Sequence, residues 1–138
     1  MHPSVLAIAA HPDDIEFVMA GTLIRLMERG WDAHYFNIAN GCCGSARLSR
    51  EHCAAVRLDE AQKAADMLPA EFYSPICDDL EIFYTAKTHA QVAAVVRKAR
   101  PTIILTHALA DYMEDHQNAA RLAVGGAFVR GMPCLLYT

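Results

Sequence analysis

The sequence contains no hydrophobic segment long enough to cross a membrane. Its apolar runs are all far shorter than the ~20 residues that a transmembrane helix needs. The N-terminus also has no positively charged region, and the apolar run at residues 5–10 is too short for a signal peptide. We therefore expect a cytoplasmic protein that does not enter the membrane.

The sequence is also short of basic residues. It has 12 Lys and Arg against 16 Asp and Glu, which gives a formal net charge of −4. No segment carries the basic stripe that follows a phosphate backbone. Nucleic acid is therefore excluded as a partner.

The five cysteines form no C-x-x-C pair, and their number is odd. This pattern predicts neither a disulfide framework nor a zinc knuckle, and it is typical of free thiols in a reducing compartment. Because no base is evident beside it, the Cys42–Cys43 pair is interpreted as loop packing and not as a nucleophile.

Glycine fingerprints for nucleotides are missing too. The first strand-to-helix turn reads His-Pro-Asp-Asp and not Gly-x-Gly-x-x-Gly, and its carboxylates would repel a pyrophosphate. The Gly-containing loop at residues 40–45 lacks the Lys-Ser/Thr ending of a phosphate loop. These absences argue against an NAD-dependent oxidoreductase.

What the sequence does contain is a regular alternation of apolar runs and helical patterns. The 138 residues, 54% of them hydrophobic, suffice for one domain with a buried core. The predicted strands cover residues 5–10, 32–39, 72–76, 102–106 and 134–137, and the predicted helices cover 13–29, 50–68, 88–100 and 115–130. This order predicts a Rossmann-like three-layer α/β/α domain with a mainly parallel sheet.

Two of these strands end in clusters of His and Asp. The clusters are His11 with Asp13 and Asp14, and His107 with Asp111, Asp115 and His116. Parallel strands end at the same edge, where ligands bind in such sheets. The simplest arrangement has His11, Asp14 and His116 holding one divalent cation, Zn²⁺ or by the same logic Fe²⁺, while Asp13 acts as a general base towards a water molecule.

The candidate site residues along the chain, in these clusters and outside them, also have ordinary structural interpretations. Asp13 and Asp14 could cap a helix, where carboxylates favour the helix dipole. Arg57 could be a solvated helix charge, Asp78 and Asp79 could form a turn, and Tyr112 could serve packing. Spacing alone does not decide between these interpretations.

Longer motifs resemble those of the PIG-L/LmbE-like family of zinc-dependent N-acetylglucosaminyl deacetylases and related de-N-acylases. The first half contains Ala10-His11-Pro12-Asp13-Asp14-Ile15-Glu16 and Gly21-Thr22-Leu23. The second half contains Pro101-Thr102-Ile103-Ile104-Leu105-Thr106-His107, Asp111-Tyr112 and Asp115-His116. Between them, Gly41, Gly44-Ser45 and Arg57-x-x-Glu60-Ala61 resemble the substrate loop and the helix after it.

The resemblance implies roles for these residues. His11, Asp14 and His116 are implied as zinc ligands, and Asp13 as the general base. Substrate contacts are implied for Gly44, Ser45, Arg57 and Asp79, with Asp78 as a rival to Asp79.

The sequence departs from the family's pattern at Met113. Family members commonly read His-Pro-Asp-His where this chain has Met113-Glu114-Asp115-His116. Met113 cannot stabilise an oxyanion or donate a proton. Tyr112, His107 or the metal alone would then have to polarise the carbonyl of the substrate.

The predicted function is removal of an N-acyl group, above all acetyl, from an amino sugar or glycoside, through a metal-activated water and Asp13. The alternative, motivated by Met113, is a catalytically impaired protein that binds metal or sugar on the same scaffold. The partner is then a small molecule, and a homo-oligomer is compatible with the sequence. Because family members usually run longer, we expect one LmbE-like domain over residues 1–138 that is truncated or lacks a loop after Pro133.

Overall fold

The computed structural model describes residues 2–135. Strands and helices alternate along the chain as the sequence predicts. In order, they are β1 (Ser4–Ala9), α1 (Asp14–Val18), α2 (Ala20–Met27), β2 (Asp32–Asn37), α3 (Arg50–Met67), β3 (Glu71–Tyr73), α4 (Ala86–Ala99), β4 (Ile103–Leu105) and α5 (Glu114–Val129), followed by a 3-10 turn at Pro133–Leu135.

The four described strands form one parallel sheet in the order β3-β2-β1-β4. All six residues of β1 are buried, as the continuous apolar run predicts for a central parallel strand. After β3 the chain crosses over to place β4 on the other side of β1. The gap between β1 and β4 is therefore the topological switch point, where open α/β sheets bind their ligands.

Helices cover both faces of this sheet. Alternate residues of β1 point to opposite faces. Val5 and Ala7 pack in one core with residues of α1, α2 and α3. Leu6 and Ile8 pack in the other with residues of α4 and α5. The predicted three-layer α/β/α architecture is confirmed.

The third strand is shorter than predicted, Glu71–Tyr73 in place of residues 72–76, and the structure differs more strongly from the predicted elements in two other places. Residues 13–29 form two helices, because the backbone of Met19 (φ −124°, ψ −23°) leaves the helical region between α1 and α2. At the other end of the chain, Pro133–Leu135 is a 3-10 turn and not the start of a strand. The rest of the predicted last strand lies outside the described residues. Within residues 2–135, no helix combines the length and apolar character needed to cross a membrane.

Candidate functional site

The turn after β1 is shaped by a left-handed residue. Asp13 has φ 92° and ψ −26°, a conformation that side-chain-bearing residues seldom adopt. The backbone N–H of His11 donates to Asp14 Oδ2 over 2.9 Å. The carboxylate of Asp14 is thereby folded back over the turn, while the side chain of Asp13 is half exposed.

Three side chains converge at the end of this turn. Asp14 Oδ2 lies 3.4 Å from His11 Nδ1 and 3.3 Å from His116 Nε2. His116 stands in the first turn of α5, directly after the loop that follows β4. One donor atom from each of the three residues lies within 4.8 Å of the others, which is close enough to hold one cation. The structure therefore brings together the three predicted ligands at the switch point.

In His11 and in His116, the ring nitrogen that does not face Asp14 contacts another carboxylate. His11 Nε2 lies 2.8 Å from Asp115 Oδ2, and His116 Nδ1 lies 3.2 Å from Asp111 Oδ1. A metal-binding histidine typically donates its other ring N–H to such an acceptor, which fixes the tautomer and the ring orientation. The remaining nitrogens, His11 Nδ1 and His116 Nε2, then offer their lone pairs towards Asp14. Two histidines and one carboxylate with this support fit Zn²⁺ or Fe²⁺.

From the sequence, these two carboxylates are grouped with the site but have no assigned roles. Asp115 is 4% exposed and also accepts the backbone N–H of Leu80 over 2.8 Å. Asp111 also accepts the N–H of Met113 over 2.9 Å, which lowers the pKa of its carboxyl. The available signal was position: one carboxylate directly precedes His116, and the other comes five residues before it.

The electrostatics of the cluster favour cations. Burial opposes protonation of His11, but hydrogen bonds to Asp14 and Asp115 outweigh it and raise the pKa of His11 to about 9. Burial also opposes ionisation of Asp14, yet its contacts with the imidazoles of His107 and His11 and the backbone N–H of His11 hold its pKa below the usual range. A divalent cation at His11 Nδ1 competes with that proton and releases it on binding.

His107 lies behind this cluster and not in the cleft. Its ring stacks on His116 with centroids 4.0 Å apart and planes 9° apart. Its Nε2 accepts the backbone N–H of Ala10 over 3.0 Å, and the side chain is 5% exposed. This geometry makes His107 a support for the His116 ring.

On the open side of the cluster, Arg57 reaches across from α3 to Asp13. Its Nη2 donates to Asp13 Oδ2 over 2.7 Å and to the carbonyl of Pro12 over 2.5 Å. Its Nη1 donates to Glu60 Oε2 over 2.5 Å. Burial alone would lower the pKa of Arg57, but the charges of Asp13 and Glu60 and the hydrogen bonds to them together outweigh it, and the pKa is raised. Arg57 is therefore anchored at the left-handed turn and is not a freely solvated helix charge.

The predicted substrate loop is held by Asp79. The carboxylate accepts the backbone N–H of Gly41 over 2.7 Å and of Cys43 over 2.8 Å. Gly41 has φ +78°, and a Cβ there would lie 2.9 Å from the Arg57 side chain, so this position requires glycine. Asp78 points away and binds Asn40 and Arg50.

These elements surround a cleft of about 340 Å³. Its lining includes the three predicted ligands and, of the other predicted site residues, Asp13, Gly44, Arg57, Asp79 and Tyr112. Ser45 is not part of the lining, because its hydroxyl accepts the backbone N–H groups of Arg47 and Leu48 in a local turn. Tyr112 is 87% exposed at the rim, beside Met113, with its ring nearly perpendicular to that of His116 and the two centroids 5.7 Å apart.

Two curated proteins are similar to this chain over most of its length. The chain is 29% identical over 135 residues to diacetylchitobiose deacetylase of Thermococcus kodakarensis, which covers 94% of this chain and 51% of the relative. It is 31% identical over 130 residues to 4-oxalmesaconate hydratase of Pseudomonas putida, covering 87% of this chain and 50% of that protein. The chain thus spans about half the length of the curated relatives it matches.

Solved structures of a deacetylase and of a hydratase are also similar to this chain. The solved structure of N,N'-diacetylchitobiose deacetylase from Pyrococcus horikoshii in complex with its inhibitor superposes with a TM-score of 0.86 at 26% identity, over 94% of this chain and 51% of the other. The 4-carboxy-2-hydroxymuconate hydratase of Pseudomonas putida superposes with a TM-score of 0.85 at 25% identity, over 92% and 56%.

The family itself follows from a match that covers most of the chain. Residues 6–125 match the PIG-L family model, described as GlcNAc-PI de-N-acetylase. The matched range includes both histidine and aspartate clusters at the strand ends. This chain belongs to the PIG-L family.

Proposed function

We propose that this protein is a metal-dependent amide hydrolase that removes an acyl group, above all acetyl, from the nitrogen of an amino sugar or glycoside. The observation that carries the proposal is the donor set of His11, Asp14 and His116 beside the open carboxylate of Asp13. Deacetylase relatives in sequence and in structure support the same reaction class.

In this proposal, His11, Asp14 and His116 hold Zn²⁺ or Fe²⁺. When bound, such a cation polarises a carbonyl and lowers the pKa of water to about 7. Asp115 and Asp111 keep the two imidazole rings in the orientation that the ligands need. His107 contributes by stacking on His116, and we assign it this positioning role in place of direct contact with the substrate.

We assign the movement of the proton to Asp13. Arg57 occupies its Oδ2, while no hydrogen bond from the described residues reaches its Oδ1. Oδ1 can therefore take a proton from a water molecule in the cleft and pass it to the leaving nitrogen. Tyr112 is the exposed donor at the rim that could assist the carbonyl, because Met113 offers no N–H or O–H from its side chain.

The cleft is sized for a small molecule and not for a macromolecule. Asp79 acts through the loop whose N–H groups it holds, and Gly44 leaves that wall open to a sugar ring. Residues 1–138 form one LmbE-like domain in this scheme.

The test is release of free amine from N-acetylglucosamine, diacetylchitobiose and other N-acetylated sugars by zinc-loaded protein. We expect Asp13→Asn to lower kcat by about 10²–10⁴-fold while zinc stays bound. Asp78→Asn, which changes a carboxylate outside the cleft, is the matched control and should keep full activity. Zinc binding without amine release from any of these sugars would instead support the impaired binding protein.

A second candidate function is addition of water to a carbon–carbon double bond. It is favoured by the hydratase of Pseudomonas putida, which is 31% identical to this chain, and by the hydratase structure of similar fold. The same purified protein can be mixed with unsaturated dicarboxylic acids, and loss of the double-bond absorbance would support this candidate. Amine release without any loss of that absorbance would exclude it.

A further inference from the structure

Two adjacent thiols, one of them on the wall of the cleft, take no part in the proposed reaction. The Sγ atoms of Cys42 and Cys43 lie 3.8 Å apart. Cys42 is buried, whereas Cys43 is exposed and lines the same cleft as His11 and Asp14. With one oxygen of Asp79 the two sulfurs make three donor atoms that all lie within 4.8 Å of one another.

The distance between the two sulfurs fits their binding to one metal ion. Two thiolates bound at about 2.3 Å to a tetrahedral zinc lie about 3.8 Å apart, because the angle between them is close to 109°. A disulfide would require about 2.05 Å between the same atoms. The observed 3.8 Å therefore matches the first geometry without rearrangement of the loop.

The surroundings hold these donors in place and balance their charge. Asp79 accepts the N–H of Cys43, and the thiol of Cys53 donates to the carbonyl of Gly41 over 3.2 Å, so the loop is fixed from two sides. Arg50 Nη2 lies 3.5 Å from Cys42 Sγ. Two thiolates and one carboxylate carry three negative charges, of which a divalent cation neutralises two, while Arg50, which also pairs with Asp78, places a positive charge beside the Cys42 sulfur.

We propose that Cys42, Cys43 and Asp79 form a second metal site, which binds a thiophilic divalent cation such as Zn²⁺ or Cd²⁺. Each thiol releases its proton to solvent as its sulfur binds the cation, and no electron transfer is involved. Since Cys43 and Asp79 line the cleft, the second cation lies on the wall of the cleft that holds the first.

The experiment is a Cd²⁺ titration of the whole chain, after a thiol count shows all five cysteines to be reduced. Bound equivalents are measured together with the ultraviolet charge-transfer absorbance of cadmium thiolates. We expect two equivalents and the absorbance in the wild type, and one equivalent without the absorbance in Cys42→Ser/Cys43→Ser. Cys134→Ser, which removes an exposed thiol elsewhere, should behave as the wild type.

Two further variants keep the result interpretable. Cys43→Ser alone alters an exposed side chain, so it should fold normally and still weaken the second equivalent at least tenfold. His116→Ala should lose the other equivalent and retain the thiolate absorbance, which separates this site from the proposed catalytic metal. A wild type without the absorbance, or a double-serine variant that retains it, would overturn the proposal.

Discussion

Asp115 offers the sharpest test of the proposed metal centre, because it contacts a candidate ligand without being one. Its Oδ2 accepts from His11 Nε2 and from the N–H of Leu80, both over 2.8 Å, and its side chain is 5% exposed. Asp115→Asn keeps the size of the side chain and an oxygen that can accept both bonds. The substitution therefore removes mainly the negative charge behind the imidazole ring.

Loss of such an orienting carboxylate typically weakens metal binding by about 10–100-fold, or about 1.4–2.7 kcal/mol. The substitution also lowers the pKa of His11, which the wild-type surroundings raise to about 9, so protons compete less with the metal. These effects oppose each other at pH 7, whereas proton competition becomes weak near pH 9. We therefore expect the larger loss of zinc affinity at pH 9 and a smaller one at pH 7.

Zinc affinity is measured by competition with a chromophoric chelator that buffers the free metal at each pH. Asp111→Asn, which alters the longer 3.2 Å contact to His116, should weaken binding less than Asp115→Asn does. Asp78→Asn should have no effect, since Asp78 lies outside the cleft. An Asp115→Asn affinity within twofold of the wild type at pH 9 would refute the idea that this carboxylate supports a metal ligand.

Three further predictions concern the cluster, the loop and stability. His116→Ala should abolish stoichiometric zinc retention after dialysis, measured by atomic absorption, whereas the exposed His52→Ala should retain it. Gly41→Ala should destabilise the fold by about 1–3 kcal/mol in urea unfolding, because φ is +78° and the added Cβ would meet the Arg57 side chain at 2.9 Å. Gly21→Ala is the control: it lies in helix α2 with open space around it, and it should stabilise the fold by about 0.5–1 kcal/mol. Burial lowers the pKa of His34 below its usual 6.5, so the unfolded protein binds a proton at this histidine more readily than the folded protein does. The folded state is therefore not penalised above pH 6.5, and it loses stability as the pH falls below 6.5. Urea unfolding should show that the free energy of unfolding falls less between pH 7.5 and pH 5.5 in His34→Asn than in the wild type. An equal fall in both proteins would contradict the role given to His34.

Much of the fold could be predicted from local patterns. A continuous apolar run such as β1 has few outcomes other than a buried parallel strand, and strands separated by helices predict helices on both faces of the sheet. The convergence of His11, Asp14 and His116 could also be predicted from the sequence. Parallel strands end at one edge, so residues about a hundred positions apart can be expected there together. The break at Met19 was not predictable in this way, because the apolar spacing of the segment is continuous.

What the sequence determined by itself is therefore the fold class, the family motifs and the residue types at the sheet edge, since these depend on spacing and chemistry along the chain. Only the tertiary structure decided which way the side chains point. It placed Asp79 and not Asp78 in the cleft, His107 behind His116, and Asp115 on the far nitrogen of His11. It also set the sulfurs of Cys42 and Cys43 3.8 Å apart. Such orientations depend on backbone angles in the loops, including the left-handed Asp13, and on contacts between elements distant in sequence, which no local pattern encodes.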